Sequence, residues 1–340
     1  MFGYDGRSGY LLVGWPTANA CPSNRDRPLP AWDNLGAKCE DRMIPMCDER
    51  TLQDAEDASR RATGAGWLTR RQLGIAAAGA SLAALVPEAR AAQSVSSADV
   101  SVSTPDGEAD CYFAHPETGS HAGVIVWPDI LGLRPAFRGM GDRLAASGYS
   151  VLVANPYYRQ ARSPVVEEGA SFRDQATRSK VMPLARSLTP ETNVTDARAF
   201  VAFLDAQDAV DTSRPIGTTG YCMGGPMTMR TAAAIPERIG AGASFHGGGL
   251  VTGAQDSPHR LVPVMRASFL FAIADNDDER DPDAKDALRE AFDAAGLDAE
   301  IEVYEGALHG WCPPDSAVYN EPHAERAWAR LLALFEKALA

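Results

Sequence analysis

With 340 residues, 45% of them apolar and 23% charged, the chain is long enough for one large α/β domain with appendages, or for two small domains. Its formal charge of −13 and sequence pI near 4.9 exclude nucleic acid as a partner, because phosphates demand a basic surface. No run reaches the ~18 apolar residues of a membrane span, which excludes stable membrane insertion.

Residues 1–45 are rich in Gly, Pro and Asn and show neither helical nor strand periodicity, so they read as a disordered upstream extension. The rival reading is an N-terminal segment lying on the domain and stapled by Cys21 and Cys39. Residues 46–92 read as a polar leader. Within it, TRRQLGIAAAGASLAALVPEARAAQ sets Arg70 and Arg71 before an Ala/Gly/Leu-rich segment, and Ala89-Arg90-Ala91 fits a small-x-small cleavage site. The stretch 69–91 is similar to a twin-arginine export signal, which implies a periplasmic mature protein; the alternative is a short amphipathic helix of a cytoplasmic one. Six cysteines are too few and too scattered for a disulfide scaffold. Only Cys111, Cys222 and Cys312 lie beyond the cleavage site, and an odd count leaves at least one free thiol.

From residue 93 to 340 a single domain is expected. VSVSTP and ADCYFAHP alternate in and out, as an antiparallel hairpin at a sheet edge does. AGVIVW (122–127) and YSVLVAN (149–155) are continuously apolar, as strands buried on both faces are, with a loop and a helix through about Ala146 between them. The stretch 158–195 is polar and punctuated by proline, with some helix. VTDARAFVAFLDAQ (194–207) has helical spacing, and PIGTTGY then leads to the turn GYCMGG. AGASFH, SFLFAIAD (268–275) and IEVYEG (301–306) follow as strands, with helices in DPDAKDALREAFDAAG and ERAWARLLALFEKAL. Alternating strands and helices around buried central strands predict a doubly wound, mostly parallel sheet with helices on both faces. Sites in such sheets lie beyond the carboxyl ends of the strands.

Three segments sit there. Gly220-Tyr221-Cys222-Met223-Gly224 is a Gly-x-nucleophile-x-Gly turn with a cysteine at its apex. AIADNDD offers Asp277, and VYEGALHGW offers His309 in a glycine-flanked loop. Nucleophile, acid, histidine is the chain order of the α/β-hydrolase fold. A thiol attacks as thiolate, an imidazole takes its proton, and a carboxylate fixes the imidazole tautomer. The oxyanion needs two backbone donors, and the N–H groups of Met223 and Ile130 are the candidates. Taken singly, Cys222 reads equally as a buried structural thiol, and Asp277 as a helix cap. No pair of histidines has metal-ligand spacing, so neither metal nor cofactor is predicted. His246, in FHGGG, reads as a pocket-lining residue; Tyr157 and Trp311 are candidate walls for an apolar substrate.

On GYCMGG, the Asn276-Asp277 stretch and EGALHG, residues 95–340 resemble the dienelactone hydrolase family of cysteine-dependent α/β hydrolases. The resemblance implies hydrolysis of a small carboxylic ester or lactone through a thioester on Cys222, with His309 as base and Asp277 as its partner. It also implies an acidic residue beside the thiol, where this chain has Asp129 in WPDILGL in place of the family's glutamate. Arginines that hold a substrate carboxylate are implied too. One is implied shortly after His309, where the loop reads Trp311-Cys312-Pro313-Pro314 and has none; a second is implied in the helical region before the Cys222 turn, where Arg178, with Arg173 behind it, is the candidate. A thioesterase or peptidase on the same triad, or a catalytically silent binding protein of the same fold, are the alternatives. The oligomeric state is not legible.

Overall fold

The computed structural model describes residues 93–340; the extension expected at 1–45 and the leader expected at 46–92 lie outside the described residues. The hairpin comes first, with β1 (Val95–Thr104) and β2 (Gly107–Pro116) antiparallel along their full length. There follow β3 (Gly123–Trp127), α1 (Pro135–Ala146), β4 (Ser150–Val153), α2 (Gln175–Arg186), α3 (Pro190–Asp205), β5 (Ile216–Tyr221), α4 (Gly224–Ala234) and β6 (Ile239–Phe245). After a 3₁₀ turn at Pro258–Val264 come β7 (Ser268–Ala274), α5 (Asp275–Arg280), α6 (Ala284–Ala295), β8 (Ala299–Tyr304) and α7 (Glu321–Ala338).

The strands form one eight-stranded sheet in the order β1-β2-β4-β3-β5-β6-β7-β8. Every neighbouring pair from β4 to β8 is parallel, and β2 joins β4 antiparallel. Strand periodicity sorts the core into two layers. Val124 and Val126 pack with Phe137 and Leu144 of α1 and with Leu331 and Phe335 of α7. Their neighbours Ile125 and Trp127 face the other way, onto Phe200 and Leu204 of α3 and Met229 of α4. Helices therefore cover both faces, and the central strands are apolar throughout because neither of their faces meets water. A third, smaller cluster contains Cys222 and lies beyond the strand ends.

Two differences from the sequence reading have physical causes. Helix α3 begins at Pro190, four residues ahead of the apolar run at Val194. Thr189 caps it, with its hydroxyl accepting from the Thr192 N–H and the Thr192 hydroxyl accepting from the Thr189 N–H. Helix α5 carries the sequence DNDDER, which has no apolar residue to mark a helical face. Its first turn is acidic, where the helix dipole favours negative charge. No helix among the described residues is long and apolar enough to cross a membrane.

Candidate active site

Cys222 directly follows β5 and takes a left-handed backbone, φ 54°, that few non-glycine residues adopt. The chain reverses there within two residues, which the flanking glycines permit. A Cβ at Gly220 would lie 2.1 Å from the Gly224 carbonyl oxygen, and one at Gly224 would lie 2.3 Å from the Trp127 oxygen. The Cys222 N–H donates to Phe245 O (3.1 Å), and its carbonyl accepts from the Gly225 N–H (3.0 Å). The apex is thus held at both ends of one residue.

Asp277 and His309, 32 positions apart, meet with His309 Nδ1 donating to Asp277 Oδ2 at 2.7 Å. The neighbours of Asp277 hold the same loop. Asp275 Oδ2 accepts from the Gly306 N–H and Asn276 Oδ1 from the His309 N–H, each at 2.8 Å. Three consecutive side chains of α5 therefore fix the backbone, the position and the ring of the histidine. Burial pulls the His309 pKa down, but the charge of Asp277 and of Cys222, with hydrogen bonds to both, outweighs it and raises the imidazole well above its ordinary value. The carboxylate lies on the Nδ1 side, which leaves Nε2 at the opposite edge of the ring. Arg280 approaches Asp277 Oδ1 at 3.5 Å from the far side.

Ile130 and Met223, the expected oxyanion donors, both pack against Cys222. Neither backbone N–H donates to a protein carbonyl among the described residues. Tyr157 is not an open pocket wall. It is buried, and its hydroxyl donates to the Ile130 carbonyl (2.9 Å) and lies 3.2 Å from Met223 Sδ, so it braces both donor residues.

Three further expectations meet a different placement. Asp129 turns both carboxylate oxygens to Arg134, at 2.6 and 2.9 Å, and accepts from the Leu131 N–H. Arg134 in turn donates to Asp315 at 2.7 and 2.9 Å. The short side chain of Asp129 thus ties down the loop that carries Ile130, where the resemblance implied a neighbour of the thiol. Arg178 spends its guanidinium on its own chain, donating to the Phe172 and Arg173 carbonyls and to Gln175 Oε1. Those bonds close the turn ahead of α2 and leave no clamp for a carboxylate. Trp311 is fully buried and stacks on Tyr304 (4.7 Å) in the layer beneath α7, apart from the cluster around Cys222.

His246 sits at the end of β6 with a left-handed φ of 40°, and its ring lies 5.1 Å from that of His309, edge to face. Burial and the His309 charge hold its pKa well below the ordinary value, so it is neutral. The three described cysteines are buried and in no disulfide among the described residues. Burial pushes the Cys111 thiol up to about 12 and that of Cys312 well above its usual range, so both are unreactive at neutral pH. Among the described residues no group of His, Cys, Asp or Glu could hold a metal ion.

The tight turn at Cys222 after β5, Asp277 after β7 and His309 after β8, on a doubly wound sheet, follow the chain order of an α/β-hydrolase fold. The family model for dienelactone hydrolases matches residues 109–339, and the chain belongs to that family. A protein of Methylorubrum extorquens, provisionally assigned as a carboxymethylenebutenolidase, is 28% identical over 85% of this chain and 97% of its own length. The carboxymethylenebutenolidase of Rhodococcus opacus is 25% identical, over 66% of this chain and 85% of its own. Among solved structures, a provisionally assigned dienelactone hydrolase from Klebsiella pneumoniae superposes with a TM-score of 0.62 at 22% identity, covering 72% of this chain and 99% of that one. A dienelactone hydrolase-like promiscuous phosphotriesterase from metagenomic libraries gives 0.60 at 21%, with the same coverage. At such identities the structures establish the fold, and the family and its relatives make the chain an ester or lactone hydrolase.

Proposed function

We propose that this hydrolase works through a thioester on Cys222, with His309 as proton carrier and Asp277 as its partner. The reading rests above all on the 2.7 Å bond between Asp277 and His309, at the carboxyl ends of the strands where the Cys222 turn also lies. The Cys222 thiol gives its proton to His309 Nε2, and the sulfur bonds to the ester carbonyl carbon. The carbonyl oxygen becomes an oxyanion that the Ile130 and Met223 N–H groups stabilise. As the tetrahedral centre collapses, the alkoxide leaves and takes the proton from His309. A water then gives a proton to His309 and attacks the thioester, releasing the acid, and the imidazolium returns its proton to the Cys222 sulfur.

Cys222→Ala tests this with 4-nitrophenyl butyrate. A fall in kcat/KM on the order of 10⁴-fold or more, together with loss of an acyl adduct detectable by mass spectrometry in the parent protein, is expected. Undiminished hydrolysis rejects the assignment. Export is part of the same proposal. It rests on Arg70-Arg71, the Ala/Gly/Leu run and Ala89-Arg90-Ala91, and predicts a native protein that begins near residue 92; N-terminal sequencing checks it.

A further inference from the structure

On the face of the sheet covered by α1 and α7 lies a cleft of about 270 Å³, close to the lower limit of ~300 Å³ for small-molecule sites. Tyr221 and Phe245 line it, stacked on each other with ring centroids 5.0 Å apart. Each immediately precedes a residue of the catalytic end, Cys222 and His246. Trp328 of α7 and Cys312 line it too. The cleft does not include Cys222, which belongs to a different packing cluster.

Gly139, in the middle of α1, is exposed and stands at the rim of the cleft. Glycine inside a helix is destabilising relative to alanine, and a close approach of neighbouring atoms usually accounts for it. Two residues on, Gly141 fits that account, since a Cβ there would lie 2.8 Å from Val153. At Gly139 an added Cβ would meet nothing within 4 Å. A larger side chain at this rim position would therefore meet no clash and would narrow the mouth of the cleft.

Chemistry selects the occupant. Arg143 is the one charged side chain among the lining residues, and its guanidinium is already neutralised by a two-point bond to Glu325, at 2.7 and 2.6 Å. It also lies over the Trp328 ring at 4.2 Å. Cys312 adds a buried thiol that burial keeps protonated. Aromatic walls, no free charge and a small volume fit a flat, uncharged molecule. We propose that the cleft between α1 and α7 is a second binding site, separate from the thiol, for an uncharged aromatic molecule of one or two rings.

Titration calorimetry with 2-naphthol tests this on the intact protein, with 2-naphthoate as the charged counterpart. Saturable one-to-one binding of 2-naphthol is expected, with at least tenfold weaker binding of 2-naphthoate. Gly139→Leu, whose side chain grows into open space, is expected to weaken 2-naphthol at least tenfold while ester hydrolysis stays unchanged. Cys222→Ala is expected to leave the binding intact. Absence of saturable binding overturns the proposal. So does binding that Gly139→Leu leaves untouched or that Cys222→Ala abolishes, because the molecule would then sit elsewhere.

Discussion

At Gly220 one hydrogen in place of a methyl group decides whether the turn at Cys222 closes. A Cβ 2.1 Å from a backbone oxygen cannot be relieved by a side-chain rotation, since the oxygen belongs to Gly224 and the turn itself would have to open. Gly220→Ala should therefore cost ~3 kcal/mol of stability and most of the activity, measured as the denaturant midpoint and kcat/KM. Asp277→Asn leaves the packing alone and removes the carboxylate that orients the His309 ring. A loss on the order of 10³–10⁴-fold in kcat, with the denaturant midpoint nearly unchanged, is expected. The three catalytic candidates were legible in the sequence because each sits in a glycine-marked or acidic turn just past an apolar strand. Asp275 and Asn276 were not legible as clamps. Their bonds run to backbone amides some thirty residues away, and such bonds impose no spacing on either segment.

At the scale of elements, the covering of the thiol matters most. Cys222 is only 3% exposed, and the side chains packed around it are Ile130, Tyr157, Val165, Val166, Val181, Ala185 and Met223. Helix α2 and the loop before it supply Val165, Val166, Val181 and Ala185, so this segment forms much of the apolar cover over the thiol. Arg134, the buried cation of the loop that carries Ile130, is held by two carboxylates, Asp129 and Asp315, which gives that group a formal net negative charge. Beside that group an acyl chain bearing its own carboxylate would lose hydration and meet a like charge, at a cost of several kcal/mol. Hydrolysis of 4-nitrophenyl butyrate should accordingly exceed that of mono-4-nitrophenyl succinate by more than ~10-fold in kcat/KM. Parity between the two would mean that a cation reaches the acyl group. Strands buried on both faces and the edge hairpin were readable from apolar runs and alternation. The polar stretch 158–195 was not, because its few apolar residues cover a single site and follow no period.

For the molecule as a whole, two histidines 5.1 Å apart bend the pH dependence of stability in opposite directions. His246 is neutral in the fold because burial and the His309 charge hold its pKa well below the ordinary ~6.5. Below that ordinary value the unfolded chain takes up a proton that the fold refuses, so stability falls as pH drops from ~6.5 towards the folded pKa. His309 is the reverse case. Despite burial, Asp277 and Cys222 raise its pKa, so the fold keeps a proton that the unfolded chain has released. That contribution is complete below ~6.5 and is lost as pH rises through the raised value. The thermal midpoint should therefore have an acid limb and an alkaline limb that separate substitutions can remove. His246→Asn, a residue tolerant of the left-handed φ of 40°, should flatten the acid limb. His309→Gln should flatten the alkaline limb and also soften the acid one, because its charge is part of what keeps His246 neutral. Calorimetric midpoints of the three proteins between pH 5 and 9 decide it. An acid limb unchanged in His246→Asn would show that the buried imidazole does not set it.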